Sequence, residues 1–188
     1  LLGAEGDGVL QMQAALAGYS NLDSIQIISH GGAGVLYLGS TTLAGSNLAA
    51  YQTQWQAIGS SLTATGDMLL YGCNVAAGDI GQEFVHALAV ATGADVAAST
   101  DATGTAALSG NWVLEQSTGV VETSSLHTDS FAGLLGVNTA PTFADTGKAT
   151  TDLRTLSSSD GLDEIIGVTQ AALQNDGSIW VAGEPAFG

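Results

Sequence analysis

SIQIISH at residues 24–30 and DMLLYGC at residues 67–73 are the two most informative segments of this chain. Each is a short apolar run that ends at a glycine or a polar residue, which is typical of a buried strand. Helical patterns of apolar residues surround these runs, at residues 7–17, 48–62 and 80–92. Because strands that alternate with helices form parallel βαβ units, we predict an α/β fold, a three-layer αβα sandwich with a mostly parallel sheet.

Further strands are expected later in the same domain. DVAAS at residues 95–99 predicts a third buried strand. Residues 112–116 and 120–123 have extended patterns and are separated by a Ser-Thr-Gly turn. Two such runs around a short glycine-containing turn predict a β-hairpin.

The chain divides by composition into a domain, a linker and a tail. We place the domain at residues 1–135 and the linker at 136–160, a polar segment with a proline and two glycines. The tail, residues 161–188, has extended runs at 164–169 and 178–182 on either side of an Asn-Asp-Gly turn. This arrangement predicts a C-terminal β-hairpin.

The charge of the chain argues against several classes of partner. It carries 18 Asp and Glu against 2 Lys and Arg, and both cations, Lys148 and Arg154, lie after the domain. A nucleic-acid binder needs clustered cations, as does a protein held on an anionic membrane, so we expect neither partner. No cofactor is indicated with certainty. Ca²⁺ would suit such acidity, but the Asp spacing of EF-hand or nonapeptide loops is absent, so metal ligands stay unassigned.

His30 and Cys73 are the candidate catalytic residues. Each follows a predicted strand, and the carboxyl ends of parallel strands meet at one edge of a sheet. A thiol becomes a useful nucleophile when a base takes its proton, and the amide of Gly31 could donate to an oxyanion. The residues alone leave an alternative open, in which His30 is a satisfied strand-end histidine and Cys73, the single cysteine, fills the core.

The motifs around these two residues point to a peptidase. The pattern IISHGG at residues 27–32, followed by MLLYGCNVA at residues 68–76, resembles the caspase-like, or clan CD, cysteine peptidases. This resemblance implies that His30 is the general base, that Cys73 is the nucleophile, and that Gly31 supplies an oxyanion amide.

Longer stretches of the chain carry two more resemblances. Residues 7–122 resemble the DUF4347 domain, which is found near the N-termini of very large bacterial surface proteins and adhesins. That resemblance implies a secreted or cell-surface location, and a first strand of which only Leu1 and Leu2 remain. Residues 161–188 resemble one unit of the β-propeller repeats, which implies that a repeat module starts there.

A protease domain, a linker and a repeat module suggest that the protease cuts its own chain, so the C-terminal polypeptide is the expected substrate. Our candidate cleavage sites are Leu134, Leu135 and Arg154, because relatives in the caspase-like group cut after Leu or after Arg. The expected function is that of a self-processing cysteine endopeptidase of a large secreted bacterial protein. The alternative is a non-catalytic adhesion or folding module of a giant cell-surface adhesin.

The loop after the third strand is the best candidate for a wall of the substrate pocket. Thr100 and Asp101 lie there, at the edge expected to hold the catalytic residues, and Asn74 follows the cysteine directly. We predict that all three bind substrate, with Asp101 favouring a basic residue. The alternative for Asp101 is a turn or helix cap within TDATG.

Overall fold

The computed structural model of the chain describes residues 1–128, 130–136, 171–173 and 178–182. The helices are α1 (Gly8–Leu16), α2 (Gln52–Gly59) and α3 (Gly78–Thr92), and a 3-10 turn at Leu48–Tyr51 leads into α2. The strands are β1 (Leu22–Ile28), β2 (Gly31–Gly32), β3 (Val35–Leu38), β4 (Thr41–Ala44), β5 (Leu62–Tyr71), β6 (Asp95–Ala98), β7 (Gln116–Ser117), β8 (Ala171–Leu173) and β9 (Ser178–Ala182). Among the described residues, none of the helices has the length and apolarity needed to cross a bilayer.

Most strands of the described chain belong to one mixed sheet, with the order β7-β6-β5-β1-β9-β8. Strands β6, β5, β1 and β9 run parallel to one another, while β7 and β8 pair antiparallel at the two edges. Strands β2, β3 and β4 form a separate small antiparallel sheet. The prediction of an α/β fold with a mostly parallel sheet flanked by helices is confirmed, in an arrangement consistent with an αβα sandwich.

The ends of the helices follow from single residues. Asp7 caps α1, because its Oδ1 accepts hydrogen bonds from the amides of Val9 at 2.9 Å and Leu10 at 3.1 Å. The same carboxylate accepts a bond of 2.6 Å from the Tyr51 hydroxyl, which ties α1 to the turn before α2. Gly93 ends α3 at φ 75°, a left-handed conformation that glycine adopts without a Cβ penalty.

The two faces of the sheet are covered differently. Ile27 and Leu70 face a core to which all three helices contribute, and this core includes the fully buried Trp55 of α2. Leu69 and Tyr71 point to the opposite face, because side chains alternate along a strand. There they meet irregular chain from the second half of the domain. Phe131, Leu134 and Leu135 pack against the sheet on this second face.

The hairpin predicted between residues 112 and 123 is wrong in its pairing. Gln116–Ser117 pairs with β6 instead, as an antiparallel strand at the sheet edge. The following chain is held by Asp67 of β5, whose Oδ2 accepts hydrogen bonds from the amides of Glu122 at 3.0 Å and Thr123 at 2.9 Å. Backbone groups that a hairpin would have paired locally are thus satisfied by the central sheet.

The tail contributes a pair of strands to the same sheet. Strands β8 and β9 pair antiparallel, as expected for a hairpin, and β9 also lies parallel to β1, with Ser178 opposite Ser24. The first strand of our predicted hairpin, at residues 164–169, and most of the linker lie outside the described residues.

Candidate active site

The topology brings His30 and Cys73 to the same edge of the sheet. Strands β1 and β5 are parallel neighbours whose last register pair is Ile28 with Tyr71. The pairing continues one step further, because the amide of Ser29 donates to the Tyr71 carbonyl at 3.0 Å. His30 and Cys73 follow directly, and both are buried. The carboxyl ends of two neighbouring parallel strands therefore bring His30 and Cys73 to the same edge of the sheet.

Two main-chain amides converge on one carbonyl oxygen beside the cysteine. Gly31 donates to the carbonyl oxygen of Leu135 at 3.1 Å, and Cys73 donates to the same oxygen at 2.9 Å. A pair of fixed amides around one oxygen is the arrangement that stabilises the oxyanion in acyl transfer. A carbonyl of the chain itself occupies this position.

The thiol of Cys73 lies close to Thr103 and to Gly136, the residue after Leu135. It accepts a hydrogen bond from the Thr103 amide at 3.2 Å and donates one to the Thr103 carbonyl oxygen at 3.5 Å. A methyl group built on Gly136 would lie 3.2 Å from the sulfur, so Gly136 lies against the thiol. Burial raises the pKa of the Cys73 thiol, and the amide of Thr103 partly opposes this shift. The thiol therefore needs a base to become a nucleophile.

The chain before this bond is bound like an added strand. The amide of Leu135 donates to the Thr103 carbonyl at 2.9 Å, and the amide of Thr105 donates to the Gly133 carbonyl at 2.9 Å. Between these bonds, Gly104 and Leu134 form an antiparallel bridge. Antiparallel main-chain pairing of an extended segment is a common mode of peptide recognition.

Two glycines leave room for the bound segment. Gly104 has φ +139°, and a Cβ on it would lie 2.3 Å from the Gly133 carbonyl oxygen. A Cβ on Gly110 would lie 2.5 Å from a methyl carbon of Leu134. The strip of small residues at 103–110 could not be predicted as a binding surface, because it acts through main-chain groups and through the space that its glycines leave. The only signal was the unusual density of small residues in DATGTAALSG at residues 101–110.

The side chain of Leu135 lies in an apolar pocket. It is 7% exposed and belongs to the cluster on the face of the sheet that carries Leu69 and Tyr71. Aromatic rings form part of the wall, with the centroids of Tyr71 and Trp112 5.9 Å apart. The other buried members of the cluster are Leu69, Cys73, Ala97 and Leu126. An uncharged pocket of this kind suits an aliphatic side chain.

Comparison with protein families identifies the domain that carries this site. The family model described as "Domain of unknown function (DUF4347)" matches residues 1–135. The chain belongs to this family. The match ends at Leu135, the residue whose carbonyl oxygen lies between the two amides. No curated protein and no solved structure matches the chain.

The three residues predicted to bind substrate lie beside the site of the DUF4347 domain. The carbonyl of Asp101 accepts the amide of Asn74 at 2.7 Å, and its carboxylate accepts the Asn111 side-chain amide at 3.1 and 3.0 Å. The amide of Thr100 donates to a carboxylate oxygen of Glu115 at 2.7 Å. These bonds organise the loop itself. Contact of the three residues with a substrate stays a prediction.

The candidate cleavage sites fall in different surroundings. Leu135 is buried in the pocket, Leu134 is half-buried on the strip of small residues, and Arg154 lies outside the described residues.

Within the described part of the DUF4347 domain, His, Cys, Asp and Glu side chains form no group of three or more that could hold a metal ion.

Proposed function

We propose that the DUF4347 domain is a cysteine endopeptidase that cuts its own chain between Leu135 and Gly136. One observation carries this proposal. The carbonyl oxygen of Leu135 accepts hydrogen bonds from the amides of both Gly31 and Cys73, at 3.1 and 2.9 Å. In this position the carbonyl belongs to the peptide bond that would be cut, and the donors are those that would stabilise the developing oxyanion.

In the first half of the proposed reaction, His30 takes the thiol proton and the Cys73 sulfur attacks the carbonyl carbon of Leu135. The electron pair of the C=O bond moves to the oxygen, where the amides of Gly31 and Cys73 stabilise it. The C–N bond to Gly136 then breaks, and the nitrogen takes the proton from His30. The products are a thioester between Cys73 and Leu135 and a new amino terminus at Gly136.

Water completes the reaction. Its oxygen attacks the thioester carbon while His30 takes one of its protons. The C–S bond breaks, the sulfur recovers a proton from the imidazolium of His30, and Leu135 leaves as a carboxylic acid that ionises at neutral pH. The net change is hydrolysis of one peptide bond, with the thiol and the imidazole restored.

The bound segment supports self-cleavage over cleavage of another protein. Main-chain bonds to Thr103 and Thr105 hold residues 133–135 extended across the site. A substrate held in this way reacts without the entropic cost of a bimolecular encounter, which can be worth a rate factor of about 10⁵ or more. An oxyanion donor of this kind typically contributes about 10²–10³-fold. The proposed substrate is thus the chain's own C-terminal polypeptide, in a secreted or cell-surface bacterial protein.

The test uses the full chain and intact-mass spectrometry. Wild type, Cys73→Ala and His30→Ala are incubated with and without Ca²⁺, because an activating ion would otherwise go unnoticed. We expect two fragments from wild type, with a break between Leu135 and Gly136, and none from Cys73→Ala. We expect His30→Ala to cut about 10²–10⁴-fold more slowly. If wild type and both variants stay whole in every condition, the domain is better explained as a non-catalytic adhesion or folding module.

A further inference from the structure

We propose that the cut leaves residues 131–135 bound in the cleft, where the new C-terminus blocks Cys73 and limits each molecule to one turnover. The inference rests on the proposed function and extends it to regulation of the same site. It also assigns the processed cleft a ligand class: an extended peptide that ends in an aliphatic residue with a free carboxylate.

Besides a bridge between Gly31 and Gly136, the described contacts that hold the segment lie on the N-terminal side of the bond to be cut. They include the bonds of Leu135 to Gly31, Cys73 and Thr103, and the bond between Gly133 and Thr105. Hydrolysis after Leu135 removes none of them. The product therefore keeps the same hydrogen bonds that hold the uncut segment in the cleft.

Apolar packing adds a second anchor. The ring of Phe131 lies edge-on to Trp112, with the centroids 5.7 Å apart, and Leu135 is buried in the pocket beyond it. Release of the segment would expose both side chains to water and empty the pocket beside Tyr71. Because the hydrophobic effect opposes such exposure, the bound state is favoured after the cut.

A short tether keeps the product near the site. The amide of Leu126 donates to the Tyr71 hydroxyl at 2.6 Å, so the chain just before the segment is fixed to the sheet. A ligand tied so closely has an effective concentration on the order of millimolar, and any second substrate must compete with it.

The new terminus also suits the position chemically. After hydrolysis one carboxylate oxygen of Leu135 takes the place of the former carbonyl oxygen, between the amides of Gly31 and Cys73. Hydrogen bonds from amides to a carboxylate are stronger than those to a neutral carbonyl. The site that stabilises the oxyanion during the reaction thus becomes a site for the product's negative charge.

The experiment starts from full-length wild type that has processed itself to completion, with both fragments kept together. Two rates are measured: alkylation of Cys73 by iodoacetamide, followed by mass spectrometry, and hydrolysis of a fluorogenic Gly-Leu-Leu amide. We expect slow alkylation and no sustained hydrolysis. In Phe131→Ala, which loses the ring on Trp112, we expect processing to slow but still to reach completion, because the main-chain bonds of residues 133–135 remain. In the processed variant we expect alkylation to rise at least about tenfold and the reporter to turn over repeatedly. Leu108→Ala, at an exposed position, is the matched control and should behave as wild type.

A product peptide tests the ligand class directly. Gly-Leu-Leu with a free carboxylate, added to processed Phe131→Ala, should slow alkylation again, and Gly-Leu-Asp should not. Processed wild type that is alkylated rapidly and turns over the reporter would overturn the inference while leaving the proposed function intact. This outcome is measured on wild type alone, so it does not depend on whether a variant folds. A chain that never splits overturns both proposals.

Discussion

The amide of Cys73 donates a hydrogen bond of 2.9 Å to the carbonyl oxygen of Leu135. The donor follows the central strand β5, and the acceptor is the last residue of the region that matches the DUF4347 family. The bond places a peptide group of the chain against the only thiol in the protein.

Leu135 should matter more than its neighbour Leu134. We expect Leu135→Ala to lower the free energy of unfolding by about 2–5 kcal/mol, because it empties a buried pocket, and to slow the cut. Leu134→Ala, at a half-buried position, should cost less. Urea unfolding of both variants in a Cys73→Ala background separates stability from cleavage, and the cut rate is then measured with Cys73 restored. Equal losses from the two substitutions would contradict the pocket assignment.

The pocket should reject a basic residue. We expect Leu135→Arg to remain uncut, because a buried guanidinium in an apolar cluster would lose its hydration without gaining a partner. Asp101→Asn should still be cut after Leu135, since the asparagine oxygen can continue to accept from Asn111. Mass spectrometry of both variants decides between this pocket and one walled by Asp101. Cleavage of Leu135→Arg that disappears when Asp101→Asn is added would favour Asp101.

A side chain on Gly104 should block the site without unfolding the domain. The added methyl group of Gly104→Ala would collide with the Gly133 carbonyl, so we expect the segment to be displaced and the cut to be slowed strongly. Gly93→Ala is the matched control, because it strains another glycine of positive φ but meets nothing within 4 Å. Cut rates, normalised by circular dichroism to the folded fraction, should fall in the first variant and stay near wild type in the second.

The reactivity of Cys73 should increase only at alkaline pH. Burial raises the pKa of its thiol above the ordinary value of 9.0, so the folded state holds the proton more tightly than the unfolded state. The thiol therefore contributes stability below the ordinary pKa and loses it as the pH rises through the folded value. In the His30→Ala chain, iodoacetamide should react slowly near neutral pH and faster only above about pH 9.

The raised pKa of the Cys73 thiol should also appear in the pH dependence of the unfolding free energy. The unfolding free energy of His30→Ala should fall with rising pH relative to the His30→Ala, Cys73→Ala double variant. A thiol that alkylates rapidly at neutral pH in the uncut chain would contradict the environment described for Cys73.

The hydroxyl of Tyr71 should stabilise the chain that leads into the cleft. It accepts a hydrogen bond of 2.6 Å from the amide of Leu126, and burial raises its pKa to about 12. Tyr71→Phe leaves that buried amide without its acceptor, so we expect a loss of about 1–3 kcal/mol in urea unfolding. Tyr19→Phe, at a tyrosine 43% exposed, should leave the midpoint unchanged. If Tyr71→Phe leaves the unfolding free energy unchanged, the Leu126 amide must form a hydrogen bond to water in the variant.

The site edge could be predicted from sequence because its signals are local. The apolar runs before His30 and Cys73 predicted β1 and β5, and the glycine after His30 predicted a free amide. These patterns depend on backbone propensity and on burial of neighbouring side chains, which a short window of sequence contains. Where residues 112–123 were concerned, the same reasoning failed, because Asp67 and the edge of β6 offered their backbone better partners than a hairpin did.

Only the tertiary structure could set the carbonyl of Leu135 apart from that of Leu134, and only it could reveal the strip at Thr103 and Gly104. The chosen carbonyl is held by main-chain amides from segments far away in the chain, and the strip acts through backbone groups and through the space that a missing Cβ leaves. Every residue carries the same backbone carbonyl, and every residue except proline carries the same amide, so such contacts leave no mark on residue identity. Two strand ends could be predicted from the sequence, whereas the carbonyl held between them depended on the long-range pairing of the folded chain.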